Sequence, residues 1–226
     1  MNPTVDGLVL DAAETRVLGS LVEKQITTPD YYPLSLNALV NACSQSSNRD
    51  PVVAYSEAAV TRALESLRDK KLVFVFEGAA NRVAKYGHKL TETLDLSPPA
   101  TAALCVLLLR GPQTVGEIRG RTGRLHAFAS LGEVEATLQA LAARAPQPLA
   151  VRLPRQAGCK ESRYAHLLSG PPAIGRTDAV SSPEAPPAAK PAEDDPRTRL
   201  EQEVARLRDD VAALKVELDE LKRRLA

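Results

Sequence analysis

In the longer N-terminal part of the chain, the hydrophobic positions fall into helical stripes that occur twice in the same order. In the first set, Asp11 and Glu14 stand three residues apart at a helix start, and apolar residues follow at three- and four-residue spacing through Val22. Two further amphipathic helices follow Ser35 and Ser56. The run LVFVF, the turn-prone GAAN and the run RVAKYGHKL then predict a β hairpin. Three helices followed by a hairpin is the order of a winged helix-turn-helix.

The second set of stripes repeats this order. A helix is predicted to begin at Ser97 and to end at a Gly-Pro pair. Thr114 with Glu117, and Ser130 with Glu133, have the spacing of capping boxes and predict two further helices. The runs LAVRLP and SRYAHLL then predict a second hairpin.

The two hairpins also share residues, since KYGHKL at 85–90 aligns with RYAHLL at 163–168. The predicted fold is therefore mainly α with small β hairpins, arranged as tandem winged helix-turn-helix domains. We place the first domain at residues 8–92 and the second at residues 97–169, and we call these segments the first and second repeats.

The first repeat is longer than the second around its second helix. Leu18 and Val60 lie 42 positions apart, whereas their counterparts Leu104 and Val134 lie 30 apart. The extra residues form two insertions, TTPDYYP and SSNRDPV, one on each side of that helix. Either the insertions cover the seam between the repeats, with tyrosine rings packing and asparagine capping the turns, or they form a recognition surface. In the second case Arg49 is the charge that we expect to be most exposed.

Composition changes sharply after the second repeat. Residues 170–197 are rich in proline and alanine and predict a disordered linker. Residues 198–226 then predict a coiled-coil helix, because apolar residues alternate at four- and three-residue spacing over four heptads. The residues of this seam are Leu200, Val204, Leu207, Val211, Leu214, Leu218, Leu221 and Leu225.

Charges beside the seam favour a parallel dimer of the chain. In that arrangement each acidic residue at a g position faces a basic residue at the partner's e position, whereas an antiparallel pair would oppose like charges. The three attractive pairs are Glu203–Arg208, Asp210–Lys215 and Glu217–Lys222. The seam could instead dock on the chain's own repeats or on another protein.

Charge and apolar content set bounds on partners and location. The whole chain has a formal net charge of +1, but residues 97–170 hold 9 basic and 4 acidic residues. The longest apolar run, AALCVLLL, is far shorter than a membrane span, and the N-terminus has no signal-peptide pattern. Cys43, Cys105 and Cys159 are far apart and fit reduced thiols. We expect a cytoplasmic protein with no membrane partner.

Chemistry-bearing motifs give no reason to expect an enzyme. The sequence has no paired carboxylates, no nucleophile with a base, and no glycine-rich phosphate loop. His88 and His166 occupy equivalent strand positions with no Cys or carboxylate at ligand spacing, and His126 is a lone loop residue. We predict no catalytic residue, cofactor or metal site.

Two long segments, LVEKQITTPDYYPLSLNALVNACSQSSNRDPV and LPRQAGCKESRYAHLL, resemble the YceH family of bacterial proteins. The resemblance covers roughly residues 10–170. It implies tandem winged helices in a cytoplasmic protein, and it brings no activity and no functional residues with it.

Function therefore has to be sought on the faces of the predicted helices and wings. In DNA-binding proteins of this type the third helix enters the major groove and the wing meets phosphate. Glu65 and Asp69 oppose the arginines of the first such helix, and Glu133 and Glu135 would repel phosphate from the second. One hypothesis is a DNA-binding, regulator-like dimer, and the alternative is a protein-interaction scaffold; an ordinary solvated surface remains open for each face. The candidate contact residues are Arg49, Thr61, Arg62, Arg68, Arg82, Lys85, Arg119, Arg121 and Arg124.

Overall fold

The computed structural model describes residues 8–76, 83–155 and 161–172, and these are mainly helical with small antiparallel sheets. That agrees with the predicted class of helices and short hairpins. The predicted coiled coil, and all but the first residues of the predicted linker, lie outside the described residues. The elements are α1 (Ala12–Thr27), β1 (Leu34–Ser35), α2 (Leu36–Cys43), α3 (Glu57–Asp69), β2 (Val73–Phe76), β3 (Lys85–His88), α4 (Leu90–Thr93), α5 (Pro98–Arg110), α6 (Val115–Arg121), α7 (Leu131–Ala142), β4 (Ala150–Arg152) and β5 (Tyr164–His166).

Five helices, α1, α2, α3, α6 and α7, begin at a residue whose side chain caps them, whereas α4 and α5 have no side-chain cap hydrogen bond. The Glu14 amide donates to the Asp11 side chain at 2.8 Å while the Asp11 amide donates to Glu14 at 2.7 Å, and Thr114 and Glu117 make the same reciprocal pair. The capping box predicted at Ser130 is wrong in one half. Ser130 Oγ accepts from the Glu133 amide, but the Glu133 carboxylate accepts from the Ala129 amide instead.

Sheet topology ties each hairpin to the start of the second helix of its repeat. In the first repeat the strand order is β1-β3-β2, so that β3 pairs with both neighbours, and Leu34 lies opposite Tyr86. In the second repeat β4 pairs with β5, and an isolated bridge joins Gln113 to Tyr164. Leu34 and Gln113 both directly precede a helix cap, and Tyr86 aligns with Tyr164. The structure therefore confirms the alignment of the two hairpins.

The first helices of the repeats, α1 and α5, pack against each other and join the repeats into one core. Their contact is close at Gly19, where an added Cβ would lie 2.9 Å from Leu109 Cδ2 and 3.2 Å from Leu108 Cβ. The Cys105 thiol donates to the Gly19 carbonyl at 3.5 Å. A larger residue at Gly19 would therefore crowd the side chains of Leu108 and Leu109.

The residues before α1 meet the residues after β5. The Leu10 amide donates to the Leu168 carbonyl at 2.7 Å, and the hydroxyls of Thr15 and Ser169 lie 3.0 Å apart. Both Leu10 and Leu168 are buried. This contact closes the core across the two repeats.

Of the two insertions, the first supports the sheet of its own repeat. Tyr32 Oη accepts a hydrogen bond from the His88 amide at 2.6 Å, and its ring meets the His88 ring edge-on. Burial raises the pKa of Tyr32 to about 12. Tyr31, in contrast, is 78% exposed. The tyrosine contact therefore lies within the first repeat and does not reach the seam.

Candidate functional site

Helix α3 buries one face and exposes the other. Val60, Leu64 and Leu67 are buried, whereas Arg62 and Arg68 on the opposite side are exposed. Thr61 is half-buried, and its hydroxyl donates to the Glu57 carbonyl at 2.9 Å. The acidic residues Glu65 and Asp69 are exposed on the same outward face. The face is thus free and mixed in charge.

The predicted contacts on the first hairpin and on α6 are spread over different parts of the molecule. Lys85 is half-buried on β3, opposite both Ser35 and Phe76. Arg82 lies outside the described residues. Arg119 is exposed, and its guanidinium donates to the Ala129 carbonyl at 3.1 Å, which holds the loop before α7.

The expectation that Arg49 is exposed is wrong. Arg49 is 3% exposed, and its guanidinium donates to both carboxylate oxygens of Glu23, at 2.7 and 3.2 Å. It also donates to the Ala42 carbonyl at 3.1 and 2.7 Å, near the C-terminal end of α2. The physical reason is pairing: a guanidinium can be buried when a carboxylate and free helix-end carbonyls satisfy its donors. Arg49 cannot contact a partner from this position.

A second buried arginine holds the same insertion from α1. Arg16 donates to the Cys43 carbonyl at 3.0 Å and to the Pro51 carbonyl at 2.6 Å, and its guanidinium lies 5.7 Å from the centre of the Tyr55 ring. Burial lowers the pKa of Arg16. Directly before Pro51, the Asp50 amide donates to the Leu109 carbonyl of α5 at 3.0 Å. The second insertion therefore does cover the seam between the repeats.

Two of the candidate contact residues, Arg121 and Arg124, line a cleft together with two basic residues outside that set, Lys24 and Arg110. The cleft has a volume of about 350 Å³ and lies between α1, the second insertion, α5 and the end of α6. Arg110 is the last residue of α5, where a basic residue is also explained by the helix dipole. The sequence signal was therefore ambiguous.

The histidines and cysteines have the features of structural residues. His88 Nδ1 accepts from the Leu90 amide at 3.2 Å, and burial lowers the pKa of both His88 and His166 to about 4. Burial raises the pKa of the Cys43 thiol, opposite to the change that makes a thiol reactive. Within residues 8–76, 83–155 and 161–172, no group of three His, Cys, Asp or Glu side chains could hold a metal ion.

A family described as "Protein of unknown function, DUF480" matches residues 10–159, which include α3 and every residue that lines the cleft. The chain belongs to the DUF480 family. A UPF0502 protein of Opitutus terrae is 58% identical over 200 residues, or 88% of this chain and 84% of the relative. A UPF0502 protein of Pelobacter propionicus is 50% identical over 215 residues, or 95% of this chain and 97% of the relative.

Similarity to the relatives covers more of the chain than the family match to residues 10–159. The Pelobacter relative matches 95% of this DUF480 chain, so the similarity reaches beyond the residues that the structure describes. Another UPF0502 protein, from Vibrio parahaemolyticus, is 47% identical over 94% of this chain and 97% of the relative. Among the described residues, no helix combines the length and the apolar character that crossing a membrane requires.

Proposed function

We propose that this DUF480 protein is a tandem winged-helix protein that binds duplex DNA as a regulator-like dimer. The observation that carries the proposal is the outward face of α3, where Arg62 and Arg68 are exposed while the opposite face is buried. The arrangement of the first repeat supports it, because a winged helix likewise has three helices and a small sheet: β1 lies between α1 and α2, the β2-β3 hairpin follows α3, and the strand order is β1-β3-β2. The DUF480 and YceH families are, in this proposal, the same family.

Dimerisation belongs to the same proposal. A heptad seam over residues 198–226, with complementary charges beside it, favours a parallel coiled coil between two copies. Two DNA-binding units in one dimer would read two half-sites, as dimeric regulators do. We expect the full chain to have the mass of a dimer in solution at tens of micromolar, and a monomer at that concentration would contradict this part.

We also propose that the protein is cytoplasmic and is not an enzyme. Support comes from the pKa values of Cys43, His88 and His166, which burial shifts away from the range of a nucleophile or a general base near neutral pH. The exposed groups of α3 are suited to contacts with phosphate and base edges and form no nucleophile–base set.

Binding to a random duplex over a salt series tests the DNA proposal. Phosphate contacts release counterions, so affinity should fall steeply as salt rises. Arg62→Gln and Arg68→Gln should each weaken binding about tenfold and lower the salt slope by about one. The matched control is Arg144→Gln, which removes the same charge from the end of α7, where Arg144 donates to the Asp95 carbonyl. Its effect should be small.

Two outcomes would count against the DNA proposal. The first is no detectable binding even at about 50 mM salt, where non-specific binding is strongest. The second, an Arg144→Gln effect as large as that of Arg62→Gln, would count against α3 as the DNA-contacting face. The first result would favour the alternative, a protein-interaction scaffold, for which the acidic residues of α3 provide a mixed-charge docking face.

A further inference from the structure

The cleft between the repeats is built differently from the α3 face. Its floor is made by Cys105, Val106 and Leu109 of α5, and its walls come from α1, the second insertion and the end of α6. No residue of α3 lines it. Its volume of about 350 Å³ lies at the lower end of the range for small-molecule sites. It is therefore a concave site with an apolar floor, separate from the proposed DNA-binding helix.

Charge in the cleft is strongly one-sided. Among the described residues that line it, one is acidic, Glu23, and four are basic: Lys24, Arg110, Arg121 and Arg124. Glu23 is already neutralised, because Arg49 binds both of its carboxylate oxygens. Like charges that share a concave, partly desolvated site raise its positive potential and attract anions.

Two guanidinium donors in the cleft residues have no partner within residues 8–76, 83–155 and 161–172. Arg110 Nε and Arg121 Nη1 are buried, and neither makes a hydrogen bond in that part of the chain. The neighbouring Glu117 carboxylate lies 3.8 Å from Arg121 Nη2, beyond hydrogen-bond distance. Buried donors without a partner are rare in folded proteins and cost free energy. An oxyanion in the cleft would meet the guanidinium groups that carry these donors, and guanidinium groups match carboxylate and phosphate oxygens.

The rim of the cleft has room and further donors. An added Cβ at Gly120 or Gly123 would meet no atom within 4 Å, so the approach over these residues is open. Gln45 accepts from Arg49 through its amide oxygen, which leaves its NH₂ group available to donate. Ser47 also lines the cleft and is exposed. These groups would bind the polar edge of a ligand whose anionic end reaches the arginines.

We propose that this cleft binds a small organic anion whose phosphate or carboxylate group accepts hydrogen bonds from Arg110 and Arg121 while its apolar part contacts Val106 and Leu109. The cleft is formed only where the two repeats meet, so an occupant would hold α1, α5 and α6 together. An anion that binds only the folded chain would therefore stabilise it, by an amount that grows with the logarithm of the anion concentration above its Kd.

The experiment titrates the full-length protein with inorganic phosphate, pyrophosphate and citrate at constant ionic strength. Backbone amide NMR signals of Gly120 and Gly123 should shift saturably, while that of Gly132 on α7 should not. The midpoint temperature of thermal unfolding should rise as each anion is added. Arg110→Gln and Arg121→Gln should each weaken binding about tenfold or more, which is the loss expected for one charge-assisted hydrogen bond. Arg144→Gln is the control of equal charge and should bind as the parent does.

Two results would overturn the proposal. One is the absence of saturable shifts at Gly120 and Gly123 up to about 20 mM anion, because the Kd would then be too high for a specific site. The other is that duplex DNA shifts the same glycines and competes with pyrophosphate, because the cleft would then be a nucleic-acid contact. Arg62→Gln separates this test from the DNA proposal, since it should weaken DNA binding and leave anion binding unchanged.

Discussion

The equivalent first helices of the two repeats, α1 and α5, pack on each other but bury different chemistry. Helix α5 is buried through apolar residues, with Thr101 as its one buried polar residue within Pro98–Arg110. Helix α1 buries Glu14, Arg16, Ser20 and Glu23 beside its apolar residues. The same position in the repeat is therefore filled by an aliphatic helix in one case and by a partly ionic one in the other.

The second insertion accounts for part of the difference, since Glu14 is instead paired with Lys70. Arg16 and Glu23 find their partners in the second insertion and at the end of α2, through Cys43, Arg49 and Pro51. The second repeat lacks these insertions, so polar side chains on α5 would have no partners, and apolar residues fill its buried face. Helix composition thus follows what the flanking loops can satisfy.

Removal of Arg49 should have the largest effect on the first repeat. Arg49→Ala leaves the Ala42 carbonyl without this donor and the buried Glu23 carboxylate with only Lys24 Nζ, 3.9 Å away, so we expect a loss of about 3 kcal/mol in the free energy of unfolding. Urea unfolding followed by circular dichroism would measure it. The matched control is Arg68→Ala, an exposed arginine on α3, which should change stability by less than about 0.5 kcal/mol.

A double variant tests whether the loss of stability comes from breaking the Arg49–Glu23 ion pair. Glu23→Gln combined with Arg49→Met removes both charges, and it should be more stable than Arg49→Ala because no unpaired buried charge remains. An Arg49→Ala protein that unfolds within about 0.5 kcal/mol of the parent would show that the buried network does not stabilise the first repeat.

Acid should lower the stability of both repeats, because each repeat buries a histidine at the equivalent strand position. The folded pKa of His88 and of His166 is about 4, whereas the unfolded chain takes up these protons near pKa 6.5. The unfolded state therefore binds more protons below pH 6.5, and stability falls as pH drops. Between pH 6.5 and 5 the two histidines together should cost about 3 kcal/mol, measurable from urea midpoints at each pH.

Substitution of the histidines separates the repeats. His88→Gln and His166→Gln should each flatten the pH dependence by about half, and the double variant should remove most of it between pH 6.5 and 5. The pKa values of Glu14 and Glu117 are lowered, since burial would raise them but hydrogen bonds outweigh it. Their contribution is lost only at more acidic pH. An unchanged slope in the double variant would refute the assignment.

How far the sequence predicts this molecule depends on how local the causes are. The starts of α1 and α3 follow from Asp11 and Ser56, because a cap acts within one helical turn. The burial of Arg49 could not be predicted, because its partner Glu23 is 26 residues away and the insertion is polar in composition. The cleft could not be predicted for the same reason, because Arg110 and Lys24 line one cavity only once α1 packs on α5.

The contact between α1 and α5 gives the smallest of the three expected effects. Gly19→Val places a side chain against Leu108 and Leu109, where even a Cβ would lie 2.9 Å from the nearest atom, so we expect a loss of about 1–3 kcal/mol by overpacking. Gly116→Ala on α6 is the control, because the nearest atom to its Cβ is 4.0 Å away. Alanine favours helix by up to about 1 kcal/mol over glycine, so this variant should be neutral or more stable. Urea unfolding compares the two. Equal stability of the two variants would mean that the packing of α1 on α5 tolerates a side chain at Gly19. The close approach at Gly19 would then not be needed to bury the apolar face of α5.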